Sequence, residues 1–356
     1  MKKYRIAGCV CIILGMVLIG CGGSSGSSAP SGSSGSQAAA QKFQYKMGSN
    51  TAEGQVITVT LQWVIDELKA KTNGNFSVDF FPNNLLGAEM ECRDMASEGT
   101  LELVNLGFGI LANWEPAVDL QNFLYTYRST DELYYITAES AFSKKYFQDN
   151  ILAKANIRMI AQWANAPRQV LSRKPVKTLN DLQKLKMRIG AGNLVYERSW
   201  RGLGALVVQI PLGDTFTALQ QGTVDALEMP IDFMYNYQFQ EVCKHLTNTN
   251  HARYTQSTLI NENAWKKLPV EYQNLLVQLM EEGRKKVDAG TAQAVARIEK
   301  DMKEKHGVQI YELDSKTLAE FEVITQKVRQ ENAGTMYDQA RYDDLQAALN
   351  EYRNKK

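Results

Sequence analysis

Two arginines, Arg168 and Arg188, are the side chains of this sequence best suited to bind a small charged partner. They lie twenty residues apart, and each belongs to a short run that predicts a β-strand followed by turn residues. A guanidinium presents two parallel N–H donors that match the two oxygens of a carboxylate, and lysine cannot reproduce this geometry. Because strands can direct side chains into one crevice, a clamp on a ligand carboxylate is one interpretation of Arg188. The alternative for Arg188 is an interdomain salt bridge or a solvated strand end.

The sequence offers little material for catalysis. An enzyme needs a nucleophile, a general base or metal ligands, and no constellation of that kind is found. The three histidines, at positions 245, 251 and 306, do not have the spacing of metal ligands. We therefore predict no catalytic residues and no metal site formed by the protein. A surface hydrolase on an α/β scaffold is the enzyme alternative, and it lacks the acid-base residues it would need.

A glycine-containing loop, residues 107–112, follows a predicted strand and superficially matches a dinucleotide-binding motif. Trp114 and Pro116 interrupt the helix that should receive the pyrophosphate, so no cofactor is expected. Glycines at the carboxyl end of a strand instead let the backbone approach a small ligand closely. On this interpretation Phe108 forms a wall of the pocket.

A set of short motifs lies between and after the two arginines. It comprises Lys174-Pro175-Val176, Asp181-Leu182, Lys186-Met187-Arg188 and the segment 218–230, Ala-Leu-Gln-Gln-Gly-Thr-Val-Asp-Ala-Leu-Glu-Met-Pro. With further pairs such as Phe81-Pro82 and Leu268-Pro269, these motifs resemble the solute-binding component of tripartite ATP-independent periplasmic (TRAP) transporters, the DctP family. The resemblance extends over roughly residues 43 to 340.

The resemblance implies roles for individual residues. Arg188 matches the residue that clamps the ligand carboxylate, and Arg168 matches a position that adds a second contact in some members and packs nearby in others. The chain departs from the family pattern in the last motif, where Met229 stands for the usual Asn and Ala226 for the usual Gly. A polar contact to the ligand is thereby replaced by an apolar, polarisable one.

The non-carboxylate end of the predicted pocket has mixed character. Trp163, Phe108, Leu212 and Met229 would make it largely apolar, which favours an aromatic or branched ligand over a sugar acid. Core packing is the alternative for Trp163 and Leu212. Asp232 and Asn193 leave a hydroxylated or amine-bearing ligand open.

The family resemblance implies an extracytoplasmic receptor rather than an enzyme. Its lobes would close on a small organic carboxylate and deliver it to the small and large membrane subunits of a TRAP permease. The alternative is a receptor of the same fold that feeds a membrane signalling system. The ligand, the coupling ion, the oligomeric state and the help of a metal, as in some relatives, stay open.

The N-terminus has the pattern of a lipoprotein. A basic start and an apolar run of about 14 residues, too short to cross a bilayer as a helix, precede Leu18-Ile19-Gly20-Cys21, which resembles a bacterial lipobox. We predict a signal peptide over 1–20, a lipidated Cys21, and a flexible Gly/Ser-rich linker to residue 41. An ordinary signal with a coincidental cysteine is the alternative. The lipid would hold the protein on the periplasmic side or outer face of the cytoplasmic membrane.

Composition agrees with a globular, non-nucleic-acid-binding protein. The 356 residues are 44% hydrophobic and 22% charged, with a formal net charge of +1. No basic stretch interleaved with aromatic residues suggests a nucleic-acid partner. Cys92 and Cys243 remain in the predicted folded part, where two buried free thiols are favoured over a disulfide.

Alternating strand and helix patterns predict an α/β fold with largely parallel sheets, two lobes with a cleft between them, and a long bracing helix over 271–305. The resemblance implies repeated crossings between lobes. We therefore predict one lobe from 42–164 plus about 254–293 and the other from 165–253 plus about 294–340. A C-terminal helix is predicted over 341–356.

Overall fold

The structure is a computed structural model that describes residues 41–190 and 194–355. The predicted signal peptide, Cys21 and Asn193 lie outside these ranges. The described strands are β1 Phe43–Ser49, β2 Phe76–Phe81, β3 Leu103–Gly107, β4 Ile157–Ala164, β5 Arg168–Ser172, β6 Lys186–Ile189, β7 Leu206–Gln209, β8 Ala226–Pro230, β9 His245–Ala252, β10 Thr255–Asn261 and β11 Gln309–Glu312.

The strands form two mixed sheets, one in each lobe. The first has the order β2-β1-β3-β10-β4, and the second has the order β11-β9-β5-β8-β6-β7. The prediction of largely parallel sheets is only partly right, because β10 is antiparallel to both β3 and β4, and β5 is antiparallel to both β8 and β9. Strand β1 shows why the first sheet forms here: Phe43, Tyr45 and Met47 are buried, while the residues between them are exposed.

Helices cover the faces of the sheets. The α-helices are α1 Val56–Lys71, α2 Glu89–Glu98, α3 Thr130–Tyr134, α4 Ile151–Ala155, α5 Leu179–Leu182, α6 Leu194–Gly202, α7 Thr215–Gln220, α8 Ile231–Asn236, α9 Glu262–Lys267, α10 Val270–His306, α11 Ser315–Glu331 and α12 Gln339–Lys355. Shorter 3₁₀ and π turns fill much of 108–150. Helices α11 and α12 follow the last strand, and α12 corresponds to the predicted C-terminal helix.

The chain passes from one sheet to the other between β4 and β5 and returns between β9 and β10. These two connections fall at 165–167 and 253–254, next to the predicted crossings. The finer division of the chain between lobes stays a prediction.

Helix α10 contacts both lobes along its 37 residues. Its first half buries Leu276, Leu279, Met280 and Val287 in the core formed by β1, α1 and β2. Its last turns bury Ile298 and Met302 in the core formed by β8, α8 and β9. The predicted long bracing helix is confirmed, and it ends where predicted, before Gly307.

Cys92 and Cys243 are buried free thiols, as favoured from the sequence. Within the described ranges, no helix is both long enough and apolar enough to cross a membrane.

Candidate functional site

Strand β6 places Arg188 inside the second lobe, where Arg188 is only 3% exposed. Its Nε and Nη2 both donate to the carbonyl oxygen of Ile210, at 2.9 and 2.7 Å. Burial lowers the pKa of Arg188, and the negative charge of Glu228 opposes this shift. Among the residues that the structure describes, no carboxylate forms an ion pair with Arg188. The site therefore holds a buried cation for which residues 41–190 and 194–355 supply no acidic partner.

Arg168, at the start of β5, has a different environment. Its Nε and Nη2 donate to the two carboxylate oxygens of Glu228, at 2.6 and 2.7 Å, and Nη2 also donates to the Glu228 carbonyl oxygen at 3.0 Å. The guanidinium lies 5.0 Å from the ring centroid of Tyr196 and 5.9 Å from that of Tyr254. The donor edge formed by Nε and Nη2 is thus already matched to a carboxylate of the protein. A second contact from Arg168 to a solute stays a prediction.

His251 completes a buried polar group with Arg168 and Glu228. Its Nε2 lies 3.0 Å from Glu228 Oε2, and its Nδ1 lies 2.7 Å from Thr249 Oγ1. Burial lowers the pKa of His251 despite the neighbouring carboxylate, so the neutral ring is favoured. Nε2–H then donates to Glu228, and Nδ1 accepts from the threonine hydroxyl. Burial raises the pKa of Glu228, but Arg168 and the His251 hydrogen bond outweigh it and lower the pKa overall.

A cavity of about 420 Å³ lies between the lobes. It is lined by the start of α1, by the β4–β5 and β9–β10 connections, by α8 and by the 291–298 stretch of α10. Of the sequence-predicted residues within the described ranges, Asp232 lines this cavity and Arg168 approaches it through Tyr254, a lining residue. Burial raises the pKa of Asp232.

The apolar residues predicted for the pocket occupy core positions. Trp163 is fully buried, and its indole N–H donates to Thr258 Oγ1 at 2.7 Å. Phe108 is 4% exposed and its ring centroid lies 4.8 Å from that of Phe147. Met229 is buried in the core of the second lobe, and Leu212 packs partly buried against the same core. The structure therefore does not bring these four side chains together with Asp232 around the cavity.

The first lobe presents a polar group that the sequence analysis missed. Asn50 follows β1, and Gly107 ends β3, so both lie at the carboxyl edge of parallel strands. Glu89, the first residue of α2, accepts from Asn50 Nδ2 at 2.9 Å and from the Gly107 N–H at 2.5 Å. Burial raises the pKa of Glu89, and the Gly107 N–H opposes the shift. The position of Gly107 directly after a predicted strand was the signal available for finding this group.

The profile of the family described as bacterial extracellular solute-binding protein, family 7 (DctP), matches residues 47–335. The chain belongs to this family. A solute-binding protein of Roseobacter denitrificans is 29% identical over 266 residues, which cover 75% of this chain and 78% of the relative. The C4-dicarboxylate-binding periplasmic protein DctP of Rhodobacter capsulatus is 26% identical over 298 residues, or 82% of this chain and 86% of the relative.

The fold matches those of solved TRAP periplasmic solute-binding proteins. A TRAP periplasmic solute-binding protein from Ochrobactrum anthropi superposes with a TM-score of 0.81 at 23% identity, covering 89% of this chain and 97% of that one. One from Desulfovibrio salexigens with bound orotic acid gives a TM-score of 0.75 at 23% identity, covering 88% and 99%. These likenesses confirm the predicted two-lobed α/β fold.

The comparisons also bear on the predicted class of protein. The matched family is one of extracellular solute-binding proteins, the two relatives are named as a solute-binding and a C4-dicarboxylate-binding protein, and the solved structures are of TRAP solute-binding proteins. The identification as a TRAP-type, DctP-family solute-binding protein is thereby confirmed, and so is the expectation that the protein is not an enzyme. The family is extracytoplasmic, in agreement with the predicted side of the membrane.

Proposed function

We propose that this protein is the solute receptor of a TRAP permease, which binds a small organic carboxylate through Arg188 and delivers it to the small and large membrane subunits. The observation that carries the proposal is the buried guanidinium of Arg188, 3% exposed and without an acidic partner in the described part of the chain. A buried charge is costly unless it is paired. A solute carboxylate would supply the missing partner in the form a guanidinium accepts best.

The neighbouring Arg168 supports this assignment by contrast. Nε and Nη2 of Arg168 donate hydrogen bonds to the Glu228 carboxylate, and Glu228 also accepts a hydrogen bond from His251. The site thus contains one arginine paired with a carboxylate and one for which the described residues supply no acidic partner. The ion pair with Glu228 also fixes the geometry of the Arg168 side chain.

The ligands in solved relatives agree with a carboxylate. One TRAP solute-binding protein was solved with L-galactonate, another with D-glucuronate and another with orotic acid, and each of these is an organic acid. For this chain, Trp163, Phe108 and Met229 lie in the cores and Leu212 packs against one of them, so these side chains do not favour an aromatic or branched acid over a sugar acid. Sugar acids and aromatic acids are therefore both included in the test.

The test is calorimetric and thermal-shift binding of a carboxylate panel to the compact unit that begins at Gln41. The protein is unfolded and refolded first to remove any solute acquired during purification. A ligand at one hundred times its Kd adds about 2.7 kcal/mol to the free energy of unfolding. We expect Arg188→Ala to weaken binding by about thirty-fold to several thousand-fold, as removal of one partner of a buried charge pair costs about 2 to 5 kcal/mol.

Two further variants sharpen the result. Arg188→Lys keeps the positive charge and loses the planar two-donor edge, so an intermediate loss is expected. Arg201→Ala removes an arginine whose side chain is 56% exposed, and it serves as the matched control with unchanged binding. Unweakened binding by Arg188→Ala would refute the clamp.

We further propose that Cys21 carries the lipid that attaches the receptor to the membrane, on the strength of the lipobox-like Leu18-Ile19-Gly20-Cys21. Two aspects of the sequence support this: the short apolar run before Cys21 and the Gly/Ser-rich stretch after it. Cys21→Ser is expected to move the protein from the membrane fraction to the soluble one. An unchanged membrane fraction would refute the anchor.

A further inference from the structure

A short segment of the first lobe, residues 123–127, projects into the core of the second lobe. Phe123 and Tyr127 pack in the first-lobe core formed by β3, the turns of 108–150 and α12. Leu124 and Tyr125 lie between them in sequence but are buried in the second-lobe core formed by β5, β6 and α6. The residues on either side of the segment also pack in the first-lobe core, so the chain makes this contact without crossing between the lobes. Residues 123–127 are named the interlobe wedge.

Polar and aromatic contacts hold the wedge against the second lobe. The Tyr125 N–H donates to the carbonyl oxygen of His251 in β9 at 2.7 Å. Arg253, in the connection that follows β9, donates from Nη1 to the Tyr127 carbonyl oxygen at 3.1 Å. The ring centroid of Tyr125 lies 6.1 Å from that of Phe321 in α11. The described arrangement of the lobes therefore includes an inserted wedge whose backbone is tied to the end of β9.

The insertion of Tyr125 carries two costs. Its φ of +55° lies in the left-handed region, which a bulky residue rarely adopts. Its hydroxyl is buried and finds no hydrogen-bond partner among the described residues. Each cost is of the same order as the free energy gained by burying one large apolar side chain. Insertion of the wedge is therefore close to balanced, with the rings and Leu124 on one side and the strained, unpaired tyrosine on the other.

We infer that the interlobe wedge is a latch with two positions. When it is inserted, it holds the lobes in the described arrangement. When Leu124 and Tyr125 leave the second-lobe core, the Tyr125 backbone relaxes, its hydroxyl reaches water, and the lobes move apart near the wedge. The latch acts in the ligand-free protein, so the inference does not depend on which solute binds.

Amide hydrogen exchange of the full-length protein in detergent, followed by mass spectrometry of peptides, tests the latch without a solute. Residues 123–127 should exchange faster than β3, because withdrawal of the wedge frees the Tyr125 N–H while the first-lobe sheet stays folded. Tyr125→Phe removes the unpaired hydroxyl and keeps the ring, so it favours the inserted position. We expect exchange over 123–127 to slow by about five- to one-hundred-fold in this variant.

Tyr127→Phe is the matched control. It removes another buried hydroxyl that the described residues leave without a partner, two positions along the same segment. The ring of Tyr127 lies in the first-lobe core and stays there in both positions of the latch. Exchange over 123–127 should therefore be unchanged. Leu124→Ala has the opposite effect to Tyr125→Phe, because it truncates a side chain that is buried only when the wedge is inserted, and exchange should become at least about ten-fold faster.

The distance between the lobes gives an independent readout. Spin labels attached at Asp79→Cys in β2 and Arg201→Cys in α6, both exposed positions on different lobes, report this distance by pulsed electron paramagnetic resonance. Leu124→Ala is expected to add longer distances, and Tyr125→Phe is expected to narrow the distribution.

Three results would overturn the latch. The first is exchange over 123–127 that is as slow as over β3 in the unmodified protein, and the second is an equal effect of Tyr125→Phe and Tyr127→Phe. The third is an unaltered distance distribution in folded Leu124→Ala. Any of them would show that the wedge is a fixed part of the core. If Leu124→Ala does not fold, the comparison of the two phenylalanine variants decides.

Discussion

At the scale of single residues, the buried group of Arg168, Glu228 and His251 connects three strands of one sheet. Glu228 lies in β8, His251 in β9 and Arg168 in β5 between them. Each member depends on the others, because removal of one leaves an unpaired buried charge or polar atom. The group therefore fixes the ends of these strands beside Arg188.

We predict that His251 makes the stability of the protein fall as the pH is lowered. Burial holds its pKa in the folded protein below the ordinary 6.5, so the unfolded chain takes up a proton first as the pH falls below 6.5. Each pKa unit that separates the folded from the unfolded value of His251 lowers the free energy of unfolding by about 1.4 kcal/mol once the pH is below both values. Glu228 has its folded pKa below the ordinary 4.5, and its contribution is lost only at still lower pH.

Urea unfolding at pH 7, 6 and 5 measures this effect. His251→Gln is expected to be less stable at pH 7 and to show a smaller decrease between pH 7 and 5 than the unmodified protein. His245→Gln, at a less buried histidine, is the control and should keep most of the decrease. An unaltered pH dependence in His251→Gln would show that other groups cause it.

The sequence could reveal the arginines of this site but not their partners. Arg168 and Arg188 stand out because an arginine in a short strand is chemically conspicuous. Glu228 is 60 residues from Arg168, and His251 is 23 residues from Glu228, so their contact depends on how β5, β8 and β9 pair. The assignment of Trp163 and Phe108 to the pocket has the same origin. The sequence alone does not show whether a side chain faces the core or the cleft.

At the scale of elements, helix α10 packs closely against the first lobe at Gly283. A Cβ added there would lie 3.1 Å from Trp163 Cζ3, 3.1 Å from Val64 Cγ2 and 3.2 Å from Thr60 Cγ2. These are tighter than ordinary contacts, and the neighbours belong to a packed core. The absence of a side chain at this position lets α10 lie against α1 and the indole of β4.

We predict that Gly283→Ala destabilises the protein. The gain in helix propensity is about 1 kcal/mol, whereas overpacking of a core costs about 1 to 3 kcal/mol. The net loss, up to about 2 kcal/mol, is read from urea unfolding at pH 7. Gly213→Ala introduces the same methyl group where nothing lies within 4 Å, and its stability should be unchanged or slightly higher. A more stable Gly283→Ala would mean that α1 and α10 can separate at little cost.

Most elements with a clear hydrophobic period were predictable. The sequence places the long helix at 271–305, and the structure has it over Val270–His306. Strands β9 and β10 were missed, because they are rich in threonine, asparagine and serine and lack an apolar alternation. All seven residues of β10 are buried, and the hydroxyl of Thr258 donates to Asn105 Oδ1 and accepts from the indole N–H of Trp163. Only the assembled sheet explains why they are inside.

At the scale of the whole molecule, the cavity has walls from both lobes. Residues from the start of α1 belong to the first lobe, and those of α8 belong to the second. A solute that contacts both walls favours the conformation in which the lobes are closer, by the difference in its affinity for the two states. The two-lobed architecture was predictable through the family motifs, whereas the mixed sheets depend on strand pairings that no local pattern encodes.

We predict that a bound carboxylate reduces the radius of gyration in solution scattering. Closure of the lobes around the solute makes the molecule more compact. The measurement compares the ligand-free and saturated protein at equal concentration. Arg188→Ala at the same solute concentration should keep the ligand-free radius. An unchanged radius in a saturated receptor would show that binding does not close the lobes.

Because both lobes pack against helix α10, the number of residues between the two contacts determines which face of the helix each lobe meets. Val287 is its last buried residue in the first lobe and Ile298 its first in the second, and they are eleven residues apart. At about 100° per residue, eleven residues make three turns and about 20° more. Val287 and Ile298 therefore lie on the same face of the helix, and both lobes pack against that face. One inserted residue would turn the second contact about 100° away from the first. The number of residues between these two positions is therefore constrained by the packing at both ends.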